Sequence, residues 1–334
     1  MNKKLAPVII PTLNRYEHLL NCIDSLRQNS LASETEIYIS VDYPPSAKYE
    51  EGYFKIVDYF KKNIIWGFKA VHIYCQEKNL GPFRNPYFLI SQIEKNYDYY
   101  IFSEDDNIFS KNFLEYMNFY LEKYKNDKSI YCVCGHSIPI NWKCSEPSIH
   151  KNISILSAYG YGLWFEKERD LHNFTLKELQ NCMRDFKKSY SLFRSSKKMF
   201  CDAINAARGN HYIMLDENKN LAYIDTTRAI YTKLTHKYVI MPTVSKVRNM
   251  GYDGSGVNCA GEKNVSTSST NIYNYDFSMQ PIDEAEHFDG TKYEVNEISR
   301  KEYQLINRFF PESSISVIKS IIKWVLFNLK KPTN

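Results

Sequence analysis

The stretch Tyr99–Phe109, YYIFSEDDNIF, sets an aromatic and apolar run directly before three consecutive carboxylates, Glu104, Asp105 and Asp106. Apolar residues resume immediately after the three acids. Burial and mutual repulsion both oppose placing three like charges at the end of an apolar strand. A cation must therefore offset them, and the surrounding sequence indicates which kind.

The first part of the chain alternates between short apolar runs and segments with helical periodicity. The apolar runs are APVIIPTL, TEIYISVDYPP, AVHIYCQEKNLG and DYYIFSEDD, and helical spacing covers residues 15–29, 50–62, 86–95 and 112–127. This alternation is typical of a parallel sheet with right-handed crossovers. The sequence therefore predicts an α/β fold, with a Rossmann-like, mostly parallel sheet flanked by helices.

Polar clusters follow all four predicted strands, namely Thr12–Arg15, Asp42, Asn79–Arg84 and Glu104–Asp106. Turn chemistry, or a helix C-cap at Gly81, would explain any one of them. Together they indicate a binding site, because ligands of such sheets bind at the carboxyl ends of the strands. Neither a G-x-G-x-x-G loop nor a Walker A loop occurs, which argues against a standard dinucleotide or ATP site.

The totals set the broad class of the protein. The chain has 334 residues, of which 43% are apolar and 24% charged, as expected for a large domain with a real core. A net charge of +5 without an RNA-binding signature argues against a nucleic-acid partner. The scattered cysteines form no C-x-x-C pair, and the proline-broken N-terminal apolar run is too short for a signal peptide. We therefore expect no zinc site and a reducing cytoplasm.

Carboxylate oxygens are suitable ligands for Mg²⁺ or Mn²⁺. Strand alternation would direct Glu104 and Asp106 to one side and Asp105 to the other. A site of this kind would use Asp106 as the metal ligand, with Glu104 or Asp105 reaching a sugar or ribose. The alternative is an acidic turn in which Asp106 or Ser110 caps the next helix, which explains one carboxylate but not three.

The motifs in this order resemble those of the GT-A fold glycosyltransferases. PTLNR, NLGPFRN and EDD carry the resemblance in the first half, where the EDD segment is most similar to N-acetylglucosaminyltransferase I. The second half resembles bacterial surface-polysaccharide sugar transferases in GYGLW (160–164), IDTTRAIYTKLTHKYVIMP (224–242) and NMGYDGSG (249–256). The resemblance spans roughly residues 5–260 and implies a GT-A fold.

The resemblance also implies a nucleotide-sugar donor, most often UDP-linked, and Mn²⁺ or Mg²⁺ as cofactor. Pro11, Thr12 and Arg15 would line the nucleotide site, and Asp42 would hydrogen-bond the base.

The remaining donor contacts follow from the same resemblance. Gly81 and Arg84 would border the nucleotide sugar, and Glu104 and Asp105 would contact sugar or ribose. Asp106 would bind the metal that bridges the diphosphate.

Inverting transfer needs one carboxylate to take a proton from the acceptor hydroxyl. Asp225 matches the family's general base by its distance before Pro242, although it would also suit a helix N-cap. Asp202 is the second candidate base. Trp164 is either an acceptor platform or plain core, and Asp253 either binds acceptor or fixes a glycine turn.

Two departures from the family pattern weaken these roles. IDTTRA lacks the tryptophan that usually follows this aspartate, and Asn258 stands where related sequences often carry a histidine. Any role of that histidine would be reduced here or would pass to His236 or another residue.

We expect residues 1–130 to be the nucleotide-sugar-binding half and 131–260 the acceptor-binding, catalytic half of one GT-A domain. A variable loop and helix region, 261–312, and a basic amphipathic helix, 313–334, would follow. The segment SISVIKSIIKWVLFNLKK has the pattern of a helix lying in a membrane surface, through residues 313–331, but a helix packed on the body shares this stripe. No stretch reaches transmembrane length.

The sequence therefore predicts a metal-dependent, inverting, bacterial glycosyltransferase in the cytoplasm, peripheral to the inner face of the cell membrane if its last helix binds lipid. It would move a sugar, of the N-acetylglucosamine type, from a UDP-sugar to a lipid-linked or surface glycan. The alternatives are a sugar nucleotidyltransferase and an inactive glycan- or membrane-binding module. PTLNRYEH does not fit the glycine-rich loop of the former, and the intact EDD argues against the latter.

Overall fold

A computed structural model describes residues 4–142, 147–152, 157, 159–209, 225–255, 277–308 and 311–330. The strands are β1 Val8–Thr12, β2 Glu36–Val41, β3 Ala70–Cys75, β4 Tyr99–Phe102, β5 Asn107–Phe109, β6 Ile130–Cys134, β7 Ile149–Asn152, β8 Tyr161–Trp164, β9 Tyr238–Pro242, β10 Val247–Asn249 and β11 Val295–Glu297. The helices are α1 Tyr16–Arg27, α2 Glu50–Lys62, α3 Gly81–Ile93, α4 Phe113–Lys123, α5 Phe165–His172, α6 Leu176–Arg184, α7 Phe186–Ser195, α8 Lys197–Ala207, α9 Asp225–Leu234, α10 Arg300–Arg308 and α11 Ser314–Leu329.

The described strands form one large sheet in the order β11-β7-β9-β6-β8-β4-β1-β2-β3, and β10 pairs with β5 beside it. Pairing is parallel throughout β4-β1-β2-β3, between β6 and β9, and between β11 and β7. Strand β8 runs antiparallel between β4 and β6, and β7 runs antiparallel to β9. The prediction of a mostly parallel sheet flanked by helices is confirmed.

Helices cover both faces of the sheet, which explains why its first strands are apolar without interruption. Along β1, Val8 and Ile10 pack into a core that includes α1, α2 and α4. Ile9 points to the opposite side, into a core that includes α3, α5 to α9 and α11. Within the described residues, no helix has the length and apolar character needed to cross a bilayer.

Helix boundaries depart from the sequence prediction at two places that matter for the site. Helix α3 begins at Gly81 rather than at residue 86, because Asp42 accepts hydrogen bonds from the first backbone N–H groups of this turn. The C-cap interpretation of Gly81 is therefore wrong. Helix α4 begins only at Phe113 and has no side-chain cap, so the interpretation of Asp106 or Ser110 as its N-cap is also wrong.

Several expected features fall outside the described residues. These are the apolar segment LAYI (221–224), the end of the NMGYDGSG motif at Gly256, and Asn258.

Candidate active site

The carboxyl ends of β1 and β4 are neighbours, because these two strands pair in parallel. This pairing brings the loop after β1 against the acidic turn after β4. The Thr12 hydroxyl donates a hydrogen bond to Asp105 Oδ2 at 2.6 Å. Arg15 Nη1 donates to Asp106 Oδ2 at 2.6 Å, and its Nη2 bonds Asp105. The strand alternation expected at residues 104–106 does not extend this far, since β4 ends at Phe102.

Arg15 is the cation that offsets part of the acidic charge in the free protein. Burial alone would lower the pKa of Arg15, but the carboxylates of Asp105 and Asp106 more than compensate and raise it. The guanidinium therefore stays charged and holds two of the three acids. Asp105 and Asp106 are both almost fully buried, at 4% and 5% exposure.

Asp106 is also fixed from the far end of the sequence. Strand β10 pairs antiparallel with β5, opposing Asn249 to Asn107. Asn249 Nδ2 donates to Asp106 Oδ1 at 2.8 Å, and the Met250 N–H donates to the Asp106 carbonyl at 2.8 Å. A Cβ at Gly251 would lie 2.2 Å from Asp106 Oδ2, so only glycine fits here. Burial, reinforced by Asp105, raises the pKa of Asp106 despite Arg15.

Glu104 is the third acid of this turn, and Arg15 hydrogen-bonds only the other two. No hydrogen bond or ion pair reaches its carboxylate from any residue that the structure describes. Burial and the charges of Asp106 and Asp225 raise its pKa well above the ordinary value. The site thus carries a surplus of negative charge, which a proton or a further cation would relieve.

Asp225, the first residue of α9, raises the pKa of Glu104, so its carboxyl lies within electrostatic range of the acidic turn. One turn into α9, Arg228 Nη1 donates to the Tyr161 hydroxyl at 2.5 Å and Nη2 donates to Glu168 Oε1 at 3.2 Å. The Tyr100 hydroxyl donates to the other oxygen of Glu168 at 2.5 Å. This network, Arg228–Glu168–Tyr100–Tyr161, is buried and fastens α9 to β4, β8 and α5.

Asp42, which is predicted to hydrogen-bond the nucleotide base, lies at the turn into α3. Its two oxygens accept from the backbone N–H groups of Tyr43, Leu80 and Gly81 at 2.9, 2.7 and 2.8 Å. The Asn79 side-chain amide adds a fourth hydrogen bond at 3.2 Å. Four bonds saturate a carboxylate. Asp42 therefore anchors the turn into α3, and no oxygen is left for a base in this conformation.

The other predicted donor-site residues lie along the same edge. Pro11 is half-buried in β1 opposite Ser40. Gly81 has a φ of 81°, and a Cβ there would meet nothing within 4 Å, so its glycine requirement comes from backbone conformation. Arg84 is exposed in the first turn of α3.

Among family models, that of glycosyl transferase family 2 matches residues 8–191, more than half of the chain. The protein belongs to glycosyl transferase family 2. None of the curated proteins compared with it matches the chain.

Two solved structures illustrate what this family 2 glycosyltransferase is similar to, both at low sequence identity. The crystal structure of TarS from S. aureus is 15% identical over 43% of this chain and 24% of that chain, with a TM-score of 0.31. The mannosyltransferase PcManGT from Pyrobaculum calidifontis, in complex with GDP-Man and Mn²⁺, is 12% identical over 49% of this chain and 46% of that chain, with a TM-score of 0.34. The chain thus spans under half of each of these proteins.

The acidic rim of this glycosyltransferase has the donor chemistry for Mg²⁺ or Mn²⁺. No three His, Cys, Asp or Glu side chains already converge on one metal position within the described residues. Such ions, however, commonly use one or two carboxylates and complete their shell with water and phosphate. Glu104 offers a carboxylate that no described residue holds, and Asp106 offers one that Arg15 and Asn249 now hold. These residues fit a divalent cation that takes over from Arg15.

Two predicted residues of the transferase lie away from this rim. Trp164 is 3% exposed, its indole N–H donates to the Leu121 carbonyl at 3.0 Å, and Lys167 Nζ lies 3.5 Å from the ring centroid. Because both its edge and face are covered, the acceptor-platform interpretation is wrong and Trp164 is core. Asp202 lies on α8 in an ion pair with Lys198 at 2.9 Å, and that helix packs against α11.

Asp253, in the motif NMGYDGSG, has a structural role in this enzyme. Asp253 accepts from the Ser255 N–H at 2.9 Å and contacts His18 Nε2 at 2.9 Å, an arrangement that lowers its pKa to about 2 despite partial burial. These bonds fix the glycine turn, which is one of the two roles that the sequence predicts for Asp253. His236 lies beyond the C-terminal end of α9, about 15 Å along that helix from Asp225, and so cannot replace a histidine at the rim.

Proposed function

We propose that this family 2 protein is a metal-dependent, inverting glycosyltransferase that takes a sugar from a UDP-sugar donor. The observation that carries the proposal is the surplus negative charge at residues 104–106, with Asp225 within electrostatic range of it. A divalent cation with its diphosphate would balance that charge, and a carboxylate facing it would serve as base.

The nucleotide would lie over the loop after β1, where Pro11, Thr12 and Arg15 border the acidic turn. Asp42 would shape this pocket through the turn that it anchors rather than bind the base directly. The preference for uridine therefore rests on the resemblance of the motifs.

The sugar and diphosphate would lie between α3 and the acidic turn. Gly81 and Arg84 would border the sugar, with Glu104 and Asp105 contacting sugar or ribose. Asp106 would hold Mn²⁺ or Mg²⁺, which when bound would stabilise the negative charge of the leaving diphosphate.

The chemical step would need one base and no covalent intermediate. An Asp225 oxygen would accept the proton of the acceptor hydroxyl, whose oxygen forms the new bond to the anomeric carbon as the bond to the diphosphate breaks. An ordinary aspartate is ionised at neutral pH and so can act without further activation. The network Arg228–Glu168–Tyr100–Tyr161 would keep Asp225 in place.

The donor and the acceptor would bind to different parts of the chain. Residues 1–130 would bind the donor and 131–260 the acceptor, with 261–312 a variable region. The motif resemblances favour an N-acetylglucosamine-type sugar and a lipid-linked or surface glycan acceptor.

Donor binding is testable without an acceptor, by thermal unfolding with UDP, GDP, CMP or dTDP, each with and without Mn²⁺. We expect one nucleotide to raise the melting temperature only when Mn²⁺ is present, because a ligand of the folded state stabilises it. Asp106→Ala should abolish that increase. Equal behaviour of wild type and Asp106→Ala would exclude the metal role of Asp106.

The base is tested by sugar-transfer rates with a matched pair of substitutions. Asp225→Asn should lower kcat by at least about 100-fold, since general base catalysis contributes roughly that much or more, while leaving the Mn²⁺-dependent nucleotide shift intact. Asp202→Asn, at the other candidate, should retain most of the activity. The reverse result would assign the base to Asp202.

A further inference from the structure

Helix α11 is held on the body of the protein by one of its faces. That face packs on α8 and α6 and has its own polar anchors. The Trp324 indole N–H donates to the Met183 carbonyl at 2.7 Å, and Arg184 donates to the carbonyls of Phe327 and Lys330 at 3.0 Å. Ser320 and Phe327 are buried on this side. The packed-helix prediction therefore describes half of α11.

The opposite face of α11 is apolar as well, and it is exposed. Its aliphatic side chains are 37% to 75% exposed; they are Ile315, Ile318, Ile321, Ile322, Val325, Leu326 and Leu329. At about 100° per residue they fall within an arc of about 140°, which otherwise contains only Ser314. Monomeric proteins rarely leave a contiguous apolar patch of this kind uncovered.

Basic and aromatic side chains surround this aliphatic face. Lys319, Lys323 and Lys330 follow one border of it, and α11 contains no acidic residue. On α7, Phe186 and Tyr190 are 64% and 49% exposed and stacked on each other, and the Phe186 ring lies 6.1 Å from that of Trp324. Residues 184–198 carry six basic side chains and one acidic one.

We propose that this face of α11, extended by α7, binds the surface of a bilayer that contains anionic phospholipids. Aliphatic residues entering the acyl boundary, aromatics at the headgroup level and lysines facing phosphate are the features of an interfacial helix. A second copy of the chain is a poorer occupant, because a two-fold interface would set the lysine border of one copy against the same basic surface of the other. Anionic headgroups instead match the charge of α7 and α11.

The proposal is independent of the transfer activity, since it concerns binding alone. Vesicle flotation of the full chain measures it, with phosphatidylcholine vesicles and with vesicles in which about one third of the lipid is phosphatidylglycerol. We expect binding to the anionic vesicles, at least tenfold weaker binding to the neutral ones, and release by high salt.

Substitutions on exposed positions separate the face from the rest of the surface. Ile318→Asp/Ile322→Asp should reduce binding to anionic vesicles at least tenfold. The matched control Phe54→Asp/Ile64→Asp changes residues that are 51% and 90% exposed elsewhere, and it should bind like wild type. Both should keep the unfolding midpoint of wild type, because no substituted side chain is buried.

The contribution of positive charge is tested with Lys319→Gln/Lys330→Gln. Because this variant leaves the aliphatic face intact, it still tests the proposal if the aspartate variant fails to fold. Each lysine lost should weaken binding to anionic vesicles by about fivefold. Wild type that fails to float with anionic vesicles, or an Ile318→Asp/Ile322→Asp variant that floats like wild type, overturns the proposal. So does a wild-type dimer, in sedimentation velocity without lipid, that the same variant converts to monomer.

Discussion

The rim of the sheet and the interior behind it each contain an arginine paired with carboxylate, partly buried at the rim and fully buried in the interior. At the rim, Arg15 faces residues 104–106, and its side chain keeps 19% exposure. In the interior, Arg228 faces Glu168 and both side chains are 5% exposed. Both arginines have a raised pKa despite burial: Asp105 and Asp106 raise it for Arg15, and Tyr161, Tyr131 and Glu168 raise it for Arg228.

The difference between the two groups lies in their charge balance. Among the described residues, the interior group pairs one arginine with one acid, and two tyrosine hydroxyls add hydrogen bonds to it. The rim has one arginine for three acids, and Glu104 remains without a partner among the described residues. A balanced group stabilises the position of α9, whereas an unbalanced one is prepared to bind a cation. The location of the imbalance therefore indicates where a ligand acts.

The largest effect on stability should come from breaking the interior group. Arg228→Met leaves the Glu168 carboxylate buried without its cation, and losing one partner of such a pair costs about 3–5 kcal/mol. Equilibrium unfolding in urea measures this loss. The conservative Arg228→Lys should recover part of the stability. Because α9 carries Asp225, this variant should still have a lowered kcat, with the donor KM unchanged.

The matched control removes the unpaired charge as well. Arg228→Met/Glu168→Gln should regain at least half of the lost free energy of unfolding, since a neutral amide is less costly to bury. Equal instability of the single and double variants would show that Arg228 acts through packing rather than charge.

A buried histidine, His136, extends the comparison, because no carboxylate of the described residues pairs with it. His136 Nε2 donates to Gln280 Oε1 at 2.9 Å, and its ring packs edge-on against Tyr159 and Phe277. Burial lowers the pKa of His136 to about 4, since no acid compensates for it. The two arginines keep their charge despite burial, because Asp105 and Asp106 face Arg15, and Tyr161, Tyr131 and Glu168 face Arg228.

Acid should therefore destabilise the protein through His136. The unfolded chain binds this proton near pH 6.5 and the folded one only near about 4, so stability falls as the pH drops through that window. The loss should be on the order of 3 kcal/mol, measured as the urea midpoint at a series of pH values. His136→Phe should show a shallower slope between those values, and an unchanged slope would assign the acid sensitivity to other groups.

The residues at the rim could be predicted from the sequence better than the long-range contacts that hold them in place. Each polar cluster follows its own strand, and parallel pairing then brings the strand ends together, so local patterns were sufficient for Thr12, Arg15 and residues 104–106. Asn249 lies within a recognised motif, but its bond to Asp106 depends on antiparallel pairing across 143 positions. A pattern read along the chain does not specify such a contact.

The corrections have the same origin. Asp42 looks like a free ligand until the turn into α3 uses both of its oxygens. Trp164 ends a strand, as a site residue would, but β8 runs antiparallel and so ends at the opposite edge of the sheet from β4. The interior network joins residues from Tyr100 to Arg228, and only the assembled sheet shows that they meet.

The smallest expected effect is at the rim, where it distinguishes a cation site from a simple ion pair. Arg15→Gln should cost only about 1–2 kcal/mol, because the guanidinium is partly exposed and its hydrogen bonds to Asp105 and Asp106 are partly screened. Mn²⁺ should then stabilise the variant more than wild type, since it no longer competes with arginine for those carboxylates. Melting temperatures across a Mn²⁺ titration measure this difference. The control is Arg27→Gln, which breaks the pair with Asp24 and should respond to Mn²⁺ as wild type does. An equal response of all three proteins to Mn²⁺ would mean that the surplus charge at the rim has no metal to balance it.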